Sequence, residues 1–273
     1  MKNFSLGLLV AVAACAASAS AASIWTDSFD SYTAGSQLGG QGGWTDTSGT
    51  KYAITPAAGG VAGSQGISTA DNTAYWTSHS WSWSSLNVGD KVVAKADFQA
   101  SPSNGGFDDD RVGWGDNATQ TSSYHFGTQL DTAQDGGLVT YLRDNSGNNV
   151  KSVLISTAIL GTIVAGDWYR QELDVTKLTS AVGANGAQLT VYYSHLDASG
   201  NVIGTPLTAS MAIDTSAWRG FSTTVDPIYK NYSGTANGNM DNAYFALVDV
   251  PEPAACGLWA LGALSLVVRR RRA

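Results

Sequence analysis

The chain between residues 22 and 249 predicts an all-β fold, a single β-sandwich of jelly-roll type, on three observations. Short stretches alternate apolar and polar residues with period two. Gly, Asn, Asp and Ser interrupt them every ten or so residues, and no window away from the two termini carries a long, capped 3.6-residue apolar period. With 273 residues the chain is long enough to bury a sizeable core, and one domain between terminal signals accounts for its length.

The strands follow in order. In AYWTSHSWSW the odd positions Tyr75, Thr77, His79, Trp81 and Trp83 share one face, and Trp76 lies opposite among serines. In KVVAKADF, Val92, Ala94, Ala96 and Phe98 fall on one face, with Lys91, Lys95 and Asp97 on the other. GLVTYLR and VKSVLIS flank Asp144-Asn145-Ser146-Gly147-Asn148. The turn Asp197-Ala198-Ser199-Gly200-Asn201 likewise follows LTVYYSHL. Asx side chains and Gly supply the local bonds and positive φ of hairpin tips, so each segment predicts a hairpin. DWYRQELDV and AQLTVYYSHL add two clear strands, and the whole predicts ten to fourteen strands with few helices.

Composition narrows the partners. Charged residues make up 14% of the chain, and between Ala22 and Val250 ten Lys or Arg face twenty-one Asp or Glu, a balance of −11. Such a body offers no basic patch for nucleic acid and disfavours an anionic polymer. The two cysteines, Cys15 and Cys256, lie in the terminal segments, so the body contains no disulfide, thiolate metal site or thiol nucleophile.

The termini carry addresses. Lys2, an apolar stretch from Phe4 to Ala17 and the small-residue site Ala19-Ser20-Ala21 predict a secretory signal peptide over 1–21, cleaved before Ala22 and read by the Sec translocon. Val12-Ala13-Ala14-Cys15 offers an alternative, lipidation at Cys15. At the other end, Ala254 to Val268 is a mostly apolar run of roughly 22 Å as a helix, against a hydrocarbon core of about 30 Å. Arg269, Arg270, Arg271 and Arg272 follow it and predict a cytoplasmic C-terminus for a membrane-inserted helix.

Pro251-Glu252-Pro253, the apolar run and the arginine cluster strongly resemble, in content and order, the PEP-CTERM sorting signal, here spanning 250–273. The resemblance implies recognition in the inner membrane by an exosortase, removal of the tail, and delivery to the cell surface or extracellular matrix of a Gram-negative bacterium. Retention as an inner-membrane-anchored protein is the alternative. Within the body, TDSFDSYTAGSQLGGQGGW (Thr26 to Trp44), DWYRQELDV (Asp167 to Val175) and NMDNAYFALV (Asn239 to Val248) are similar to strands of concanavalin A-like, or laminin-G-like, jelly rolls. Those domains often hold Ca²⁺ near their first and last strands, which points to Asp30 and Asp241. Asp108, Asp109 and Asp110 are further oxygen ligands of the type such an ion prefers.

Chemistry in the body is sparse. A glycoside hydrolase needs paired carboxylates, and the body's single glutamate, Glu172, sits in a strand near Arg170, where an ion-paired surface role is expected. The resemblance to jelly-roll alginate lyases extends to Arg170-Gln171-Glu172 and, faintly, to Tyr229-Lys230, with no Gln-x-His. The histidines His79, His125 and His195 show no ligand spacing. Trp81 and Trp83 either form an aromatic platform for sugar rings or fill the core, and Trp76 is the better exposed aromatic. The expectation is a non-enzymatic, exported matrix or weak polysaccharide-binding protein, with a polysaccharide-active enzyme, a hydrolase or lyase, as the alternative.

Overall fold

A computed structural model of the chain describes residues 21–46, 52–56, 58–69, 75–77, 79–103, 106–115, 124–222, 224–230 and 238–249. The cleavage site residue Ala19, the sorting motif Pro251 to Pro253 and the arginine cluster lie outside them. Among the described residues no helix is long and apolar enough to cross a membrane.

Two antiparallel sheets form the sandwich. The first runs β15 (Val202–Ile213), β14 (Ala187–Leu196), β13 (Trp168–Lys177), β7 (Lys91–Gln99), β17 (Gly238–Val248), β4 (Ile67–Thr69) and β3 (Tyr52–Ile54), with β1 (Ala21–Asp27) also on β17. The second runs β12 (Asn149–Ser156), β11 (Gly137–Arg143), β10 (Tyr124–Asp131), β9 (Gly106–Gly115), β16 (Thr224–Lys230), β5 (Tyr75–Thr77) and β2 (Trp44–Asp46). β6 (Trp81–Ser82) pairs with β16, and β8 (Pro102–Ser103) pairs with β9. Helix is confined to α1 (Thr157–Leu160) and three single 3-10 turns among the described residues. Among the described residues the count of seventeen exceeds the expected ten to fourteen, because six of these strands have only two or three residues each and carry too little alternation to read.

Each expected long strand is present. In β7, Val92, Ala94, Ala96 and Phe98 point into the core, as alternation requires. β13 and β14 pair in register from Tyr169↔His195 to Lys177↔Ala187. At both hairpin tips the first aspartate accepts backbone N–H bonds: Asp144 Oδ1 from Asn148 (2.7 Å), and Asp197 Oδ1 from Ser199 and Asn201 (2.8 and 2.9 Å). Gly147 and Gly200 take positive φ there, +90° and +80°. The Asn148 side-chain amide, donating to Asp144 Oδ2 at 3.0 Å, and then its backbone N–H hold the Asp144 carboxylate below its usual pKa, and the backbone bonds do the same for Asp197.

The Trp81–Trp83 stretch departs from the reading of one continuous strand. The residues from Tyr75 to Ser85 form β5, β6 and a 3-10 turn at Trp83–Ser85, although Trp81 and Trp83 keep a common buried side. Both indoles are buried, 6% and 3% exposed, which removes them as a ligand platform. Trp81 meets Trp114 edge-on at 5.1 Å and Phe245 of the facing sheet at 5.9 Å, while Trp83 meets Phe221 at 4.7 Å. They bridge the sheets as core.

Lys177 secures that turn. Its buried Nζ donates to the carbonyl oxygens of Trp83 (3.2 Å) and Leu86 (2.7 Å). Lys177→Met keeps the apolar stem but leaves both acceptors without this donor, so equilibrium unfolding should show a loss of about 1–3 kcal/mol. An unchanged midpoint would mean that water replaces the ammonium.

Candidate polar pocket on the outer face of the first sheet

The site is set by the last strand. β17 pairs along one edge with β7; along its other edge it pairs first with β4, through Gly238–Met240, and then with β1, through Ala243–Val248. Between these partners the register against β7 shifts, from Asp241↔Asp97 to Tyr244↔Lys95. The shift is a bulge that bends the strand and re-aims its side chains. Asn242 sits there with φ +50°, a conformation asparagine tolerates better than most residues.

Residues 58–66 lie against this gap and are pinned at two points. Asp241, fully buried, accepts from Val61 N (3.0 Å), Ser64 Oγ (2.6 Å) and Asn242 N (2.7 Å). Exposed Asp30 accepts from Gln65 N at 2.9 Å, and the Gln65 amide, oriented with Nε2 inward, donates to the carbonyls of Phe29, Asp30 and Tyr32 at 3.1, 3.2 and 3.1 Å. A Cβ on Gly60 would lie 2.6 Å from Asp241 Oδ2, so only glycine lets the segment approach this closely. The two residues expected to hold calcium are engaged in hydrogen bonds here: Asp30 and Asp241 hold successive parts of one segment, and Asp241 accepts three donors. Among the described residues no group of three or more His, Cys, Asp or Glu could hold a metal ion. Asp110 is buried, and the side chains of Asp108 and Asp109 lie outside the described residues.

Burial raises the Asp241 pKa to about 6, against the hydrogen bonds that lower it, and the nearby Asp97 charge adds to the rise. The folded state thus keeps a proton that the unfolded chain releases. The contribution of this group to stability is full below the ordinary value of 3.8 and is lost as the pH rises through about 6. It amounts to something on the order of 3 kcal/mol. Denaturant titrations at pH 4.5 and 7.5 should show a smaller pH difference for Asp241→Asn than for the parent; equal differences would locate the proton elsewhere.

Beside the bulge, on the face of the sheet turned away from the core, lies a pocket of about 550 Å³. Thr26, Ser28 and Ser31 give it exposed hydroxyls, and Asn242 and Tyr244 come from β17. Its cations are Lys95 of β7 and Arg170 of β13. Asp97, wholly buried beneath, receives Arg170 Nε (2.7 Å) and Nη2 (2.8 Å) as a bidentate fork, and Asn242 Nδ2 at 2.9 Å. The fork raises the Arg170 pKa further. Lys95 Nζ lies 4.4 Å from the centre of the Tyr244 ring and 3.7 Å from Glu172.

One wall is anchored in the core. Asp27 Oδ2 accepts from Tyr32 Oη (2.6 Å) and from Trp44 Nε1 (2.7 Å), and its Oδ1 from Phe29 N (2.8 Å). Burial together with Asp27 pushes the Tyr32 pKa well up. Gly42, at φ +53°, leaves room for the Tyr32 hydroxyl, which a Cβ would meet at 1.7 Å. The loop after β1 is thereby held rigid, and its serines are presented at fixed positions.

The other residues singled out in the sequence are dispersed. Glu172 is ion-paired as expected, with Lys95 as its partner, while Arg170 belongs to Asp97. Tyr229 lies in the opposite sheet, pointing inward, and donates across the sandwich to the Tyr244 carbonyl at 2.6 Å. It shares no face with Arg170 and Glu172, so the lyase-like constellation does not assemble. His195 pairs with Asp167 at 2.9 Å; His79 packs on Trp25, and burial lowers its pKa although the Asp226 charge opposes this. The side chains of His125 and Trp76 lie outside the described residues; the Trp76 backbone pairs with Ile228 and Thr45 in the second sheet. Sequence reasoning missed Lys95, Asn242, Tyr244 and the serine wall, which only strand pairing brings together.

No protein-family model and no curated sequence matches the chain. Among solved structures it is similar to the globular domain of T. cruzi calreticulin, with TM-score 0.50 and 9% identity over 91% of this chain and 100% of that one. It is also similar to lectin I-B4 from Griffonia simplicifolia, with TM-score 0.49 and 11% identity over 82% and 98%. A third is alginate lyase vAL-1 from Chlorella virus, with TM-score 0.40 and 11% identity over 69% and 86%. The class defined is a β-sandwich of the jelly-roll kind; identities this low show the fold alone.

Proposed function

We propose that this protein is an exported, non-enzymatic β-sandwich that binds saccharide weakly at the cell surface or in the extracellular matrix, and that its C-terminal segment is the address that takes it there. The observation that carries the binding reading is the pocket beside the β17 bulge. Hydroxyls, an amide and two cations line it together with Tyr244, and Lys95 Nζ stands over the Tyr244 ring. Such a surface meets sugar hydroxyls with hydrogen bonds and sugar C–H faces with an aromatic ring. The export reading rests on the order of parts in the sequence: a signal peptide over 1–21, and Pro251-Glu252-Pro253, an apolar run and Arg269 to Arg272 at the other end.

A glycan array on the full chain tests the binding. Retention on a saccharide that falls with Tyr244→Ala and survives Trp76→Ala supports the pocket; the reverse would move the site to the second sheet. Turnover in a reducing-sugar or unsaturated-uronate assay that disappears with Glu172→Gln would replace binding with catalysis. For the address, mass spectrometry of the mature protein should find no peptide containing Trp259, and that peptide should persist in a host lacking its exosortase. Its persistence in the unaltered host would favour a permanent inner-membrane anchor.

A further inference from the structure

The charges around the pocket are arranged for an acidic ligand, although the body as a whole carries a balance of −11. Arg170 and Lys95 both line the cavity, whereas the carboxylates that pair with them do not. Asp97 is wholly buried under the guanidinium, and Glu172 stands outside the lining. The one carboxylate in the wall, Asp27, has both oxygens committed to Phe29, Tyr32 and Trp44. The fork to Asp97 engages Nε and Nη2, so Nη1 of Arg170 makes no hydrogen bond to the described residues. The cavity is thus lined by a guanidinium fixed through its fork, an ammonium over a tyrosine ring, and neutral hydroxyls.

We infer that this pocket recognises the carboxylate of an acidic sugar, a uronate-type residue within an otherwise neutral saccharide, with Arg170 Nη1 and Lys95 Nζ as the anion donors and the Thr26, Ser28 and Ser31 hydroxyls serving the ring. The inference rests on the saccharide reading above and narrows it. Arg170 is preorganised, because the buried Asp97 fork fixes its plane before any ligand arrives, and a guanidinium held this way loses little freedom on binding. At 0.1 M salt the acidic surface beyond about 10 Å is largely screened, and of the nearer carboxylates Asp97 and Glu172 are paired with the two cations while Asp27 is hydrogen-bonded by Phe29, Tyr32 and Trp44. The acidic surface does oppose a densely charged polyanion, which has to run along it. The pocket therefore selects isolated carboxylates over polyanionic chains.

The test is calorimetric titration of the full chain at pH 7 with three probes: an aldotriouronic acid carrying one glucuronate on two xylose units, the same oligosaccharide with its carboxyl reduced to the alcohol, and a polyuronate. The acid should bind at least about tenfold more tightly than its reduced form. Lys95→Gln, a half-exposed position at which folding is not at issue, should remove most of that margin, and raising the salt should narrow it. Arg170→Gln combined with Asp97→Asn checks the second donor without stranding a buried charge. Equal binding of acid and alcohol overturns the anionic preference and leaves the saccharide reading intact, whereas failure of both probes together with an empty glycan array overturns both. Tighter binding of the polyuronate overturns the selection for an isolated carboxylate.

Discussion

Trp114→Ala is expected to cost about 4 kcal/mol, measured by guanidinium unfolding followed through the remaining tryptophans. Trp114 is wholly buried in β9. Its ring stacks on Phe126 at 4.5 Å and 20°, receives Trp81 edge-on at 5.1 Å, and faces Phe221 at 6.2 Å, while Nε1 donates to the Gly220 carbonyl at 3.2 Å. Removing the indole opens a cavity that three other rings can only partly close, and it strips a buried carbonyl of its donor. Against a total stability of 5–15 kcal/mol typical of domains, that loss leaves little margin. Trp114→Phe keeps most of the contact and should cost less than half as much. A loss below about 1 kcal/mol for the alanine variant would mean that this aromatic cluster does not hold the sheets together.

The sandwich was legible where strands are long. Lys91–Gln99, Trp168–Lys177 and Ala187–Leu196 each expose one face to the core, so alternation alone assigns Phe98, Leu173 and Val191 to the interior. The two Asp…Asn tips were equally plain, because an Asx side chain closing its own turn is a local event. Legibility was partial at Trp81 and Trp83: their shared face and place in the core hold, but the single strand expected there is divided into two short strands and a 3-10 turn. It failed at Asp97: alternation puts it on the outer face, yet it is wholly buried, because Asn242, Arg170 and the bulge of β17 close over it.

The site was less visible for the same physical reason. Its lining comes from β1, β7, β13, β17 and the loop after β1, with Thr26 and Tyr244 at opposite ends of the body sequence, and no local pattern encodes which strands become neighbours. Glu172 and Arg170 drew attention as a motif on one strand, whereas the pairing that matters for each runs across strands to β7. Asp30 and Asp241 were singled out through the resemblance to calcium-holding jelly rolls, and in the structure both hold a covering segment in place.

The Arg170–Asp97 fork is expected to hold both fold and pocket, and Arg170→Met should destabilise the chain by about 3 kcal/mol. The reason is an imbalance of charge. Asp97 and Asp241 occupy facing register positions on β7 and β17, both wholly buried, and Arg170 is the guanidinium bonded to the first of them. Removing it leaves Asp97 with Asn242 Nδ2 and an unpaired negative charge beside a second carboxylate. The cost is that of a stranded buried ion rather than of a lost surface bridge, although the partial exposure of the guanidinium places it near the lower end of the range for broken buried pairs. Replacing both partners, Arg170→Met with Asp97→Asn, removes the charge as well as its partner and should recover more than half of the loss in the same denaturation experiment. If the double variant is no more stable than Arg170→Met alone, packing of the arginine stem and not charge compensation holds this corner of the sheet.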